Sequence, residues 1–98
     1  MKNRDVILAF LEKREAFGSN LLSTGQKLIN YNTALAEWYD NYHLIINDTH
    51  YSVTTSKNQA YLKREIIPDR GIICYHVDSV DIGVKNLINI YKSHEISN

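Results

Sequence analysis

Ninety-eight residues suffice for one domain with a single modest core, and 44% apolar with 22% charged residues is the composition of a folded chain rather than a disordered one. Eleven basic and eleven acidic side chains cancel, which excludes a highly acidic nucleic-acid mimic and a chain held to nucleic acid or membrane by bulk charge. The one cysteine, Cys74, excludes an intrachain disulfide. The opening Met-Lys-Asn-Arg-Asp lacks the apolar run of a signal peptide, and no stretch approaches the ~20 apolar residues of a membrane span. The expectation is a soluble, cytoplasmic single domain over 1–98, with no cofactor.

In chain order, Asn3 is placed to cap a helix over about 4–16, with Val6, Ile7, Phe10 and Leu11 as its apolar stripe and Gly18 at the left-handed position beyond it. Leu21 and Leu22 predict a short strand ending in a Thr24-Gly25 turn. Residues 28–38 carry two periods. Leu28, Tyr31, Leu35 and Trp38 fit a helix, whereas Ile29, Tyr31, Thr33, Leu35 and Tyr39 fit a strand. Register decides for the strand. A tight turn at Asp40-Asn41 places Tyr39 with Tyr42, Glu37 with Leu44 and Leu35 with Ile46. A second two-residue turn at Asn47-Asp48 sets Ile46 opposite Thr49, Leu44 opposite Tyr51 and Tyr42 opposite Val53. One apolar face then runs through strands at 28–38, 43–47 and 50–54.

Ser56-Lys-Asn-Gln59 is a capping box that starts a helix over 57–66. Pro68-Asp69-Arg70-Gly71 predicts a turn, and the alternation of Ile73, Tyr75 and Val77 predicts a strand at 71–77. Asp78 or Ser79 caps a last helix on which Val80, Val84, Leu87, Ile88 and Tyr91 recur at helical spacing, with Gly83 inside it and fraying from 94. The expected fold is α+β: an antiparallel meander of about four strands, an N-terminal helix, a central helix after the hairpin and a C-terminal amphipathic helix.

The run Leu-Ile-Asn-Tyr-Asn-Thr-Ala-Leu-Ala-Glu-Trp over 28–38, followed by Tyr-Ser-Val-Thr-Thr-Ser-Lys-Asn-Gln over 51–59, resembles a group of small uncharacterised proteins encoded by phages and prophages. In that group a Tyr-x-Thr-x-Ile-Ala strand precedes a Tyr-Ser-x-Thr-Thr-Ser hairpin arm. Here Leu35 stands at the Ile position, and Gln59 lies where a His often follows the Ser-Lys pair. The resemblance covers about the middle third. It implies a mobile-element origin and a strand over 28–38, and it carries no activity or site.

Potential metal ligands are His43, His50, Cys74 and His76, but no Cys-x-x-Cys or His-x-x-x-His spacing joins them, so surface histidines and a buried thiol are the plainer reading. Ser52, Thr54, Thr55 and Ser56 near His50 have the look of a strand-to-helix junction, and no Gly-x-Ser-x-Gly or orienting acid makes them a nucleophilic site. Two binding surfaces remain. The second sheet face would present Trp38 and Ile45 among His43 and His50, an anchor for a host or defence-system protein in the manner of an inhibitor, or for a second copy in a homodimer. The helix 57–66 would present Lys57, Tyr61, Lys63 and Arg64, charge beside an aromatic, as nucleic-acid surfaces do.

Overall fold

The computed structural model of the chain describes residues 1–66 and 70–96, with side chains through residue 93. The first helix, α1, spans Asn3–Leu11 and buries Val6, Ile7, Ala9, Phe10 and Leu11. Its cap differs from the expected one. Lys2 is the N-cap residue, and the Asn3 amide instead donates to Asn20 Oδ1 at 3.0 Å and Asn58 Oδ1 at 3.3 Å. Lys13, not Gly18, takes the left-handed position at φ 61°. Its N–H donates to Phe10 O and that of Arg14 to Ala9 O, the paired bonds of a Schellman ending. Gly18 is needed for space: a Cβ there would lie 2.9 Å from Asn3 Oδ1 and 3.2 Å from Val6 Cγ2.

Six strands follow: β1 (Glu15–Phe17), β2 (Leu21–Thr24), β3 (Lys27–Asn30), β4 (Thr33–Trp38), β5 (His43–Asn47) and β6 (Ile73–Val77), in that order across one sheet. The class is α+β as expected, but the sheet is mixed. β1 to β5 are antiparallel neighbours and β6 joins β5 in parallel. The Thr24-Gly25 turn is present, with Gly25 at φ 92°. The single strand expected over 28–38 is instead a hairpin, turning at Tyr31-Asn32. Alternation carries no mark of a turn that lacks glycine or proline. In that hairpin Leu28 pairs with Ala36 and Ile29 with Ala34, which leaves Leu35 as the extra residue of a bulge. Leu35 and Ala36 consequently both enter the core on one side, while Ala34 faces the other.

The β4–β5 register is one residue from the expected one: Trp38 pairs with Leu44, Glu37 with Ile45 and Ala36 with Ile46. The Asp40 carboxylate is the cause. It accepts from the N–H groups of Tyr42 and His43, both at 2.8 Å, and shapes a loop over 39–42 rather than a two-residue turn. One step of register turns Trp38 to the first face and Glu37 to the second.

No hairpin follows β5. Asn47 Oδ1 accepts from Thr49 N, while its amide donates to Ala34 O at 2.9 Å and Tyr51 Oη at 3.0 Å. The chain leaves the sheet there and enters α2, Val53–Ile66, so the strand expected at 50–54 is absent. Ser52 Oγ accepts from Thr55 N, and Ser56 lies inside the first turn rather than capping it. The β-branched run Val-Thr-Thr reads as strand locally, and tertiary packing overrides it. α2 is the crossover that permits the parallel β5–β6 pair. Pro68 and Asp69 of the expected turn lie outside the described residues.

The last helix, α3, is Leu87–Ile96, so it starts well after the expected cap at Asp78 or Ser79. Ser79 at φ 57° and Gly83 at φ 91° hold residues 78–86 in an irregular strap. The first sheet face packs Leu28, Leu35, Trp38, Leu44 and Ile46 against α1 and Leu62 of α2. The second packs Ala34, Ile45 and Val77 against Val80 and Leu87, with Val84, Ile88 and Tyr91 alongside. The five residues of the expected stripe thus meet the core, from a strap and a helix together. α3 runs through Ile96, across the start of the segment expected to fray from 94; residues 97 and 98 lie outside the described ones.

Candidate functional site

The residues expected to form a partner-binding face are dispersed. Trp38 is 4% exposed, on the first face with its ring 5.9 Å from that of Phe10. Ile45 is fully buried on the second face under α3. The register step separates them, and the strap and α3 cover the face that Ile45 would have offered. His43 and His50 lie toward opposite ends of β5. His43 stacks on Tyr75 at 5.5 Å and bonds the Asp40 carboxylate through Nδ1 at 2.7 Å. The backbone N–H of Tyr42 and then the His43 side chain hold the Asp40 carboxyl below the usual aspartate range.

The helical surface is present. Lys57, Tyr61, Lys63 and Arg64 are exposed on α2, and the Arg64 guanidinium lies 5.6 Å from the Tyr61 ring centre. Lys63 is committed elsewhere: its Nζ lies 2.8 Å from Asp48 Oδ1, and His76 Nδ1 lies 2.7 Å from the other oxygen. Two basic residues absent from the sequence reading join the stripe. Lys2 and Arg4 line a cavity of about 410 Å³ together with Tyr61.

Cys74 is half-buried beside the first-face core, and burial pushes its thiol up from the ordinary range. Among the described residues, no group of three or more His, Cys, Asp or Glu is placed to hold a metal, and no helix is long and apolar enough to cross a membrane.

An opening sits where β3 turns into β4. A cavity of about 400 Å³ is lined by Asn30 to Thr33 of that turn, by His50, Tyr51, Ser52 and Thr55 of the entry to α2, and by Ile82 of the strap. Tyr31 occupies the left-handed region at φ 56° and is 67% exposed. Its N–H donates to Asn20 O at 3.0 Å. Ile82 is 84% exposed, and its neighbour Gly83 donates to Thr33 Oγ1 at 3.0 Å, which pins the strap beside the turn. Beneath, Asn30 donates to Thr55 Oγ1 and accepts from Asn58 Nδ2, tying the hairpin to α2. His50 borders this cavity and a neighbouring one of about 320 Å³ shared with Val53, Ser56 and Lys57. Val53 is 75% exposed.

Of the expected partner-binding residues only His50 belongs to this end. Tyr31 and Ile82 are not among the residues that the sequence points to as a surface. The signals available were the asparagines flanking Tyr31 and the glycine after Ile82, both turn residues. No family model matches the chain, and neither the curated proteins nor the solved structures contain a significant match to it.

Proposed function

We propose that this chain is a protein-binding module that acts by occupancy rather than by catalysis, through the end formed by Tyr31, His50, Val53 and Ile82. The observation that carries this reading is Tyr31. A tyrosine in left-handed backbone costs roughly 1–3 kcal/mol, and an exposed ring returns little of that to the core. Its use is outward: a rigid amphipathic ring at the rim of a cavity, with Ile82 as an apolar wall and Asn32, Ser52 and His50 as polar rim, is the make-up of an interface anchor. The resemblance to phage and prophage proteins makes a host or defence-system protein the partner class under this proposal.

The test is capture from host extract on immobilised protein, with nuclease treatment throughout. Wild type retains a protein that both Tyr31→Gly and Ile82→Ser release. Equal retention by all three would remove the proposal.

A second reading is favoured by Lys2 and Arg4 beside Tyr61. With Lys57 and Arg64 they give a basic surface at the start of α1 and along α2, suited to nucleic acid, although Arg4 Nε also pairs with Glu65 Oε1 at 3.5 Å. Salt separates the two. Phosphate contacts make affinity fall steeply with ionic strength, and Lys57→Ala with Arg64→Ala would flatten that slope by about two.

A further inference from the structure

We propose that the cavity between the 39–42 loop and α3 receives a small organic cation of the methylated-ammonium class. This site lies at the opposite end of β4 from Tyr31 and does not rest on the reading above. It has a volume of about 150 Å³ and is lined by Tyr39, Asp40, His43, Tyr75 and Tyr91. A space of roughly that size accommodates one benzene-sized molecule, which is the size class of a trimethylammonium head. Four of the five lining groups are aromatic.

Tyr39 meets Tyr91 edge-on, with centroids 5.8 Å apart and planes at 77°, so two walls stand nearly at right angles. Tyr75 lies 4.8 Å from Tyr91 and stacks on His43 at 13°, which fixes the remaining rings as one row. Ring faces attract a cation and not its neutral isostere. The fifth group, Asp40, adds formal negative charge, and its hydrogen bonds to Tyr42, His43 and the His43 ring hold it as the carboxylate. The surface already draws a cation from within the chain: Lys92 Nζ lies 5.9 Å from the Tyr39 ring centre.

The test is an NMR titration of the full chain with choline and in parallel with 3,3-dimethylbutan-1-ol. The alcohol has the same shape with carbon in place of the charged nitrogen. Choline is expected to move the ring resonances of Tyr39, Tyr75 and Tyr91 saturably, with the alcohol binding about tenfold more weakly or worse. Tyr39→Leu, at a ring on the surface, should weaken choline about tenfold. Asp40→Asn keeps an acceptor for the loop N–H groups and should weaken it several-fold. A peptide bearing trimethyl-lysine, titrated beside choline, distinguishes a modified protein tail from a free head group as the source. Equal binding of the alcohol overturns the proposal. So does the lack of a saturable shift with both wild type and Lys92→Ala, the latter removing the competing internal cation.

Discussion

The indole N–H of Trp38 donates to the main-chain carbonyl of Phe10 at 3.0 Å, so the largest ring in the chain ties the sheet to the last turn of α1. That carbonyl also accepts from Lys13 N–H at the helix end, so the indole is its second donor. Lys13 Nζ lies 4.0 Å from the same ring and covers its outer side. Trp38→Phe keeps most of the apolar volume and removes the donor. It should cost about 0.5–1.5 kcal/mol in urea denaturation, the net worth of one hydrogen bond, because Phe10 O keeps the bond from Lys13 N–H at 2.9 Å. Wild-type emission should be blue-shifted and insensitive to iodide. Red-shifted, quenchable emission would contradict the burial of this ring.

Glu37 performs a comparable task on the other face. Its Oε1 accepts from Leu87 N at 2.8 Å and from Ile88 N at 3.4 Å, so a strand residue caps α3. The carboxylate also meets the positive end of that helix. Glu37→Ala should destabilise by about 1–3 kcal/mol, because the buried N–H of Leu87 loses its acceptor. Glu37→Gln retains an acceptor and should cost about 0.3–1 kcal/mol, the charge contribution alone. Equal losses from the two variants would mean that hydrogen-bond geometry plays no part.

Tyr31→Gly separates stability from binding. Glycine adopts positive φ without the Cβ penalty, and the tyrosine ring has little core packing to lose. The variant should match wild type or exceed it by up to about 1 kcal/mol in thermal or urea unfolding. A loss above that magnitude would show that the ring supports the fold, which would weaken its assignment as an outward anchor.

Cys74 supplies a pH-dependent signature. Burial raises its folded-state thiol above the ordinary range, so the fold favours the protonated form. As pH rises through the ordinary thiol range, the unfolded chain ionises first. Stability should therefore decline on that side and stay level below it. Iodoacetamide should alkylate the native protein more slowly at pH 8 than the urea-unfolded one, because the thiolate is the nucleophile. Equal rates would show an unshifted, accessible thiol.

Burial was more legible in the sequence than backbone path. Val80, Val84, Leu87, Ile88 and Tyr91 were identified by spacing as inward-facing, and they are, although the first two lie in a strap. Apolar spacing reports which side chains avoid water, and several backbones can satisfy one pattern. The misplaced elements trace to side-chain bonds that periodicity does not record. Asp40 lengthens one loop, Asn47 ends β5, and Glu37 fixes where α3 begins. The interior asparagine contacts, from Asn3 to Asn58 and from Asn58 to Asn30, were likewise invisible, since polar residues in a pattern read as surface. The candidate site was the least legible part. It joins a turn at 31–32, a helix entry at 50–55 and a strap residue at 82, which only the assembled fold brings together.

The meander has a consequence for synthesis. Each of the first five strands pairs with its immediate neighbour in sequence, so α1 and β1 to β5 can zip together through local contacts as the chain emerges. The bond from Leu87 N to Glu37 spans 50 positions and must wait for the C-terminus. A nascent chain halted before residue 78 would carry a formed meander with Ala34 and Ile45 bare to water. It would bind a hydrophobic dye and call on chaperones until the strap and α3 arrive.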